Sequence, residues 1–158
     1  MKTRTLISIA FGLLLGVAVA APLPYHEAAD AKADVRQALS AAQAAKRPVL
    51  LVFGANWCED CRALDTSLKT AKNAELMAKG FVVVKVDVGH FDRNLDVASV
   101  YGDPIKKGIP AAVILSPDNQ ILYTTRAGEL SNARRMSDTG VYDFFSQAAA
   151  TAAKGRPQ

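Results

Sequence analysis

The stretch "VFGANWCEDCRAL", residues 52–64, holds both cysteines of the 158-residue chain, Cys58 and Cys61. It begins within a continuous apolar run over residues 49–53. A run this short, bounded by proline and glycine, predicts a strand buried on both faces of a sheet. A helical pattern follows over residues 62–71. The cysteine pair therefore lies between a buried strand and a helix, with Cys58 at the helix start.

Several kinds of site contain a pair of cysteines at this spacing. A haem attachment site requires a histidine directly after the second cysteine, and Arg62 occupies that position, so this kind of site is excluded. A structural zinc site normally has four Cys or His ligands, and besides the pair the chain offers only His26 and His90, on separate predicted elements. A structural disulfide that closes so short a loop would stabilise the fold little. Zinc and a structural disulfide both stay open as alternatives to a redox pair.

The redox interpretation follows from the position of Cys58 at the beginning of a helix. The unpaired N–H groups and the dipole of a helix N-terminus favour a thiolate over a thiol. We therefore expect the pKa of Cys58 to lie below the free value of about 8.5. The thiolate is the attacking species, and Cys61, one turn further along, can attack the mixed disulfide and release the partner.

The remaining apolar patterns predict an α/β fold. A helical crossover separates the first two long strands, which favours parallel pairing, and the turn sequence "SPDNQ" joins the last two strands as an antiparallel hairpin. The prediction is a mixed central sheet with helices on both faces. The predicted helices cover residues 30–46, 62–71, 73–79, 95–101 and 141–153, and the predicted strands cover residues 49–53, 81–88, 111–115 and 121–125.

Two motifs resemble the thioredoxin superfamily. The segment "VFGANWCEDCRAL" is similar to its active-site segment of strand, small residue, Trp, Cys-X-X-Cys and helix. Ile109-Pro110, in "KKGIPAAVIL", resembles its second hallmark, a cis proline just before a core strand. The resemblance spans about residues 30–150 and is strongest to exported bacterial thioredoxin-like proteins of the thiol-disulfide interchange or isomerase-like type. It implies a thioredoxin fold and a protein disulfide oxidoreductase that needs no metal or organic cofactor. Its partners would be protein disulfides or dithiols, and a redox protein that supplies or accepts electrons.

Three residues are expected to bind substrate beside the sulfurs. A proline before an apolar strand cannot donate a ladder hydrogen bond. In the cis form, Pro110 would turn the backbone of Ile109 outward, so that its N–H and C=O can pair with an extended substrate chain. Trp57 is expected to shield Cys58 and to offer substrates an apolar surface.

The chain departs from the family pattern at two places. Thioredoxins carry a buried Asp where this chain has Val52, so Lys85, which matches the family's lysine on the neighbouring strand, would lack its usual partner. Glu59 and Asp60 separate the cysteines, and their carboxylates suit the helix dipole but oppose a nearby thiolate. We therefore predict a reductase or isomerase rather than a strong oxidant, with Glu59, Asp60 and Lys85 as candidates for proton relay or pKa tuning.

Residues 1–20 are predicted to be a secretory signal peptide. Lys2 and Arg4 give a positive start, an apolar run follows, and Ala18-Val19-Ala20 offers small residues for cleavage. Export would place the protein in the periplasm, free of the membrane after cleavage, where a thiol pair can stay oxidised. The predicted organisation is a signal peptide over 1–20, an extended lead-in over 21–29, a thioredoxin-like domain over 30–153 and a flexible tail over 154–158.

The charge pattern gives no support to nucleic-acid binding. The formal charge is +4 and mild, and no basic stripe interleaved with aromatic residues is present. Arg134-Arg135 is expected to lie in a solvated loop.

Residues 89–107 and 128–140 extend the minimal family pattern and are candidates for flanking the active site and selecting substrates. His90 and Arg93 lie in the first of these segments, for which a solvated loop is the simpler interpretation.

Two other functions stay open. The fold can serve as a binding or chaperone module whose disulfide is merely structural. A weaker option is an assembly factor that reduces apocytochrome or metal-site thiols.

Overall fold

The apolar runs of the sequence form one four-stranded sheet in the computed structural model, which describes residues 22–155. The predicted signal peptide and the last three residues of the predicted tail lie outside the described residues. The helices and strands, in chain order, are α1 (Ala31–Ala45), β1 (Val49–Gly54), α2 (Glu59–Leu68), α3 (Ala71–Gly80), β2 (Val82–Asp87), α4 (Leu95–Val100), β3 (Ala111–Leu115), β4 (Ile121–Thr124) and α5 (Asp138–Lys154). Short 3-10 turns cover Pro104–Lys107 and Ala133–Arg135.

The sheet is mixed, as predicted. Its strand order is β2-β1-β3-β4. β1 pairs in parallel with β2, because α2 and α3 carry the chain back across the sheet between them, and it pairs antiparallel with β3. β3 and β4 form the predicted hairpin. β1 is therefore central, which explains why all six of its residues are buried.

The core lies on both faces of the sheet. Alternate residues of a strand point to opposite faces, so Leu51 and Phe53 pack with α1 and α4, while Leu50 and Val52 pack with α2, α3 and α5. The expected helical layers on both faces are thereby confirmed. Among residues 22–155, no helix combines the length and the apolar character needed to span a bilayer.

The segment between β4 and α5 has a largely polar sequence, but part of it is buried. Leu130 is fully buried and Ala133 nearly so, and both belong to the cluster beneath α5. These two apolar residues hold the segment against the rest of the domain. The 3-10 turn at Ala133–Arg135 packs against α2. The segment thus reaches the end of the domain that carries the cysteines.

Candidate active site

The two cysteines form a disulfide at the beginning of α2, with their Cα atoms 5.2 Å apart. Cys58 is the N-cap residue of α2, and its Sγ accepts the backbone N–H of Cys61 at 3.1 Å. This helix therefore begins three residues earlier than its apolar pattern indicates, because the cysteine itself supplies the cap. Cys58 is 6% exposed and Cys61 is 0% exposed. Of the two cysteines, only the first thus retains any exposure, and an attacking cysteine needs access to its partner.

Ile109 and Pro110 lie directly against the cysteine pair. The peptide bond between them is cis. The carbonyl oxygen of Ile109 is 3.7 Å from the Sγ of Cys58. Both residues are buried at the start of β3, which is central in the sheet. The fold thus brings together a sulfur and a stretch of backbone that lie 51 positions apart in the chain.

Trp57 lies at the surface next to Cys58 and is 47% exposed. Its Nε1 donates a hydrogen bond to the carbonyl oxygen of Gly89 at 2.8 Å. The His90 ring stacks on the indole with a centroid distance of 5.2 Å, and the Phe91 ring meets it edge-on at 6.3 Å. His90 is exposed in a loop, as expected, and the segment after β2 also folds back so that its ring contacts Trp57. We call Trp57, His90 and Phe91 the aromatic surface.

Glu59 and Asp60 are paired with a cation from the segment before α5. The backbone N–H of Arg134 donates to Oδ1 of Asp60 at 2.9 Å, and its Nη1 donates to Oε2 of Glu59 at 2.9 Å. Arg134 is exposed to solvent, as expected, but it lies in a 3-10 turn and is paired with these carboxylates. Its positive charge offsets part of the negative charge that the two carboxylates bring to the end of α2.

Lys85 faces Val52 in place of its usual acidic partner, but it has another acidic partner from α2. It forms an ion pair with Asp65, a buried residue of α2 that also pairs with Lys69 at 2.7 Å. Desolvation lowers the pKa of Lys85. The sequence carried a signal for this pair, because Asp65 follows Cys61 by four residues and so lies on the same side of α2.

Tyr25 was not singled out in the sequence, yet the structure places it beside Cys61. It is 4% exposed although it belongs to the lead-in. Asn56 holds its backbone from both sides: the N–H of Tyr25 donates to Oδ1 at 2.9 Å, and Nδ2 donates to the carbonyl oxygen of Tyr25 at 2.8 Å. The only hint in the sequence was Gly54, since a glycine inside a strand indicates close approach of another group.

Among the described residues, no group of three or more His, Cys, Asp or Glu side chains is arranged to hold a metal ion. The sulfurs of the pair are bonded to each other.

A thioredoxin-like family model matches residues 30–117. The structure is similar to the disulphide isomerase from Xylella fastidiosa Temecula1, with 58% sequence identity over 81% of this chain and 98% of that chain and a TM-score of 0.80. It also resembles a thioredoxin from Thermus thermophilus, with 24% identity over 76% of this chain and 85% of that chain and a TM-score of 0.53. The oxidised C-terminal domain of Neisseria meningitidis DsbD is 18% identical over 76% and 97% of the two chains, with a TM-score of 0.52. None of the curated proteins matches this chain.

The thioredoxin and the DsbD domain are similar to this chain in fold alone. The disulphide isomerase is also similar in sequence, because more than half of the aligned residues are identical. Because the family model also covers more than half of the chain and includes both cysteines, the chain belongs to the thioredoxin-like family, as an oxidoreductase with a disulfide-bonded Cys-X-X-Cys pair.

Proposed function

We propose that this protein is an exported thiol-disulfide oxidoreductase of the reductase or isomerase type, which exchanges disulfides with protein substrates. The observation that carries the proposal is the position of Cys58: its sulfur caps α2 and lies beside the backbone of Ile109. A helix N-terminus stabilises a thiolate. The 58% identity to a disulphide isomerase supports the same type of reaction.

In the reductive direction, the Cys58 thiolate attacks one sulfur of a substrate disulfide. The substrate S–S bond breaks, one substrate thiolate leaves and takes up a proton, and a mixed disulfide joins Cys58 to the substrate. Cys61 then loses its proton and attacks Sγ of Cys58, which releases the second substrate thiolate. The substrate gains two electrons and the enzyme becomes the disulfide seen here, which a redox partner protein must reduce again. In isomerisation, another thiol of the substrate resolves the mixed disulfide instead.

Substrate binding is assigned to Trp57, Ile109 and Pro110. The carbonyl oxygen of Ile109 faces the reacting sulfur, so a substrate strand that pairs with this backbone would bring its own cysteine to Cys58. The aromatic surface, which includes the exposed indole of Trp57 and the ring of His90 stacked on it, offers substrates apolar contact next to Cys58.

The charges around the pair favour a reducing couple over a strongly oxidising one. Glu59 and Asp60 bring two negative charges to the end of α2, and Arg134 offsets only one of them. The remaining negative charge disfavours the thiolate of the reduced form. The reduction potential of the Cys58–Cys61 couple, measured against glutathione, tests this: a value near about −120 mV, typical of strong periplasmic oxidants, would rule out the reductase or isomerase type.

Reduction of insulin with dithiothreitol as electron donor tests the activity itself. We expect turnover by the wild-type protein and none by Cys58→Ser. Cys61→Ala should instead accumulate a mixed disulfide that a non-reducing gel detects. If the wild-type protein does not accelerate insulin reduction and Cys58→Ser retains binding to protein partners, the binding or chaperone function replaces the one proposed here.

Export is a separate part of the proposal. We propose that residues 1–20 direct the protein to the periplasm and are then removed, leaving the lead-in, the thioredoxin-like domain over 30–153 and the tail. N-terminal sequencing of the protein from a periplasmic fraction should begin at Ala21. Recovery of the protein from the cytoplasm with residues 1–20 intact would contradict export.

A further inference from the structure

The side chains of Tyr25 and Cys61 both lie next to Gly54, at the end of β1. A Cβ built on Gly54 would overlap the hydroxyl oxygen of Tyr25, and it would lie 2.5 Å from Cζ of that ring and 2.9 Å from Sγ of Cys61. The absence of a side chain at the end of β1 thus leaves room for the phenol hydroxyl and for the second sulfur of the pair.

Tyr25 is 4% exposed, and its hydroxyl makes no hydrogen bond to another described residue while the disulfide is closed. Within the part of the chain that the structure describes, the hydrogen bonds of Tyr25 are those of its backbone to Asn56. Reduction of the disulfide would supply an acceptor beside this hydroxyl, because a cysteine thiolate accepts hydrogen bonds.

Other charged groups face this point from β2 and α2. The Nζ of Lys85 lies 6.0 Å from the centroid of the Tyr25 ring, but Lys85 is already paired with Asp65. Asp87 pairs in register with Gly54 across the sheet, and its carboxylate oxygen accepts the backbone N–H of Gly89 at 3.2 Å. Val52 offers no polar group. The phenol is therefore the uncommitted donor beside Cys61.

We propose that Tyr25 is a hydrogen-bond donor to the thiolate of Cys61, and that it stabilises this thiolate for the resolving step of disulfide exchange. This inference rests on the proposed function and assigns a further residue to it. Burial and the charge of Asp87 raise the pKa of Tyr25, so the phenol keeps its proton and acts as a donor rather than as a base. The proton of Cys61 leaves to solvent or to another base, and the proton of Tyr25 remains on its oxygen throughout.

The assignment also gives the lead-in a role in the reaction. Residues 22–29 lie before the part matched by the family model, and the two hydrogen bonds to Asn56, two residues before Cys58, together with core packing hold the ring in place.

The test compares Tyr25→Phe with the unchanged tyrosine in a Cys58→Ser background, where Cys61 is the only thiol. Alkylation of Cys61 by iodoacetamide is followed as a function of pH. Because hydrogen bonds to charged groups contribute about 1.5–3 kcal/mol, loss of the hydroxyl should raise the pKa of Cys61 and slow alkylation near neutral pH about tenfold or more. An unchanged pH profile would overturn the proposal.

Two controls separate this role from a structural one. Tyr101→Phe removes the hydroxyl of another buried tyrosine, which donates to Asn119 at 3.0 Å, and it should leave the pH profile of Cys61 unchanged. In a Cys61→Ala background, Tyr25→Phe should leave the rate of mixed-disulfide formation by Cys58 within about twofold, since the hydrogen bond concerns the second sulfur only. An equal slowing of both steps would show a general disturbance of the site and refute the assignment.

The measurement needs no protein substrate. A wild-type protein that fails to reduce insulin would overturn the proposed function, while the pH profile of Cys61 would still decide the role of Tyr25.

Discussion

Replacement of Gly54 by alanine tests the geometry on which the site depends. The backbone at Gly54 is that of an ordinary strand, paired with Asp87 of β2, so alanine meets no backbone strain there. Its methyl group would instead occupy the space taken by the Tyr25 hydroxyl and would lie 2.9 Å from Sγ of Cys61. Either the tyrosine ring or the disulfide must move.

The cost follows from the two ways in which the structure can adjust. Small shifts around an added core methyl group typically cost about 1–3 kcal/mol. Complete expulsion of the Tyr25 ring would expose roughly 150–250 Å², which at about 25 cal/mol per Å² amounts to about 4–6 kcal/mol. The cheaper adjustment prevails, so we expect Gly54→Ala to lower the free energy of unfolding by about 2–3 kcal/mol, or the melting temperature by about 6–12 °C.

Urea unfolding of the oxidised protein measures this loss, with Gly80→Ala as the matched control. A Cβ on Gly80 finds its nearest neighbour at 3.9 Å, and alanine favours a helix over glycine by up to about 1 kcal/mol, so this variant should be neutral or stabilised.

Tyr25→Ala completes a double-mutant cycle. Removal of the ring should cost about 3–5 kcal/mol in the wild-type protein and at least about 1 kcal/mol less in Gly54→Ala, where the clash is relieved. Costs that add within about 0.5 kcal/mol would refute the contact.

Three other substitutions test separate parts of the structure. Leu130→Ala should lower the free energy of unfolding by about 2–5 kcal/mol in urea, because Leu130 anchors the segment before α5 in the core; a loss below about 1 kcal/mol would contradict that anchoring. Arg134→Ala should slow alkylation of reduced Cys58 about two- to fivefold at low salt, since it leaves the neighbouring carboxylates without their cation. The effect should fade at high ionic strength, and a salt-independent change would contradict this cause. Asp65→Asn should leave Lys85 without a counter-charge and depress its pKa further. A lysine pKa that is lower in the folded than in the unfolded protein favours folding at pH values above the ordinary lysine pKa of about 10.4 and opposes it as the pH falls. The stability deficit of Asp65→Asn should therefore be largest near neutral pH and shrink as the pH rises toward about 10, and a deficit independent of pH would argue against the ion pair.

Most of the fold could be predicted because its signals are local. The runs that form β1 and β3 are short and continuously apolar, and each follows a proline, so neighbouring residues alone predict their burial on both faces. The hairpin was equally predictable, since turn residues lie between its strands. The start of α2 was harder to place. Its first turn is polar, and its cap is a cysteine rather than one of the usual capping residues.

The site was predictable only where its motif is contiguous. Cys58 and Cys61 were identified because their spacing and their place before a helix carry the chemistry by themselves. Arg134 and Asp65 were missed as partners of the residues around them, because each contact depends on how another element packs against α2. His90 was underestimated for the same reason, since its stacking on Trp57 requires the segment after β2 to fold back.

By itself, the sequence determined an α/β protein with a pair of cysteines at the start of a helix. Hydrophobic periodicity, turn residues and the spacing of two cysteines can all be recognised within a few neighbouring residues. Only the tertiary structure decided what surrounds the sulfurs: the carbonyl of Ile109, the cation of Arg134 and the phenol of Tyr25. These groups come from distant parts of the chain, and their positions depend on the packing of several elements at once. The reactivity of a thiol depends on charge and hydrogen bonding within a few ångströms, so we expect the chemistry of this pair to depend on contacts that no short stretch of sequence contains.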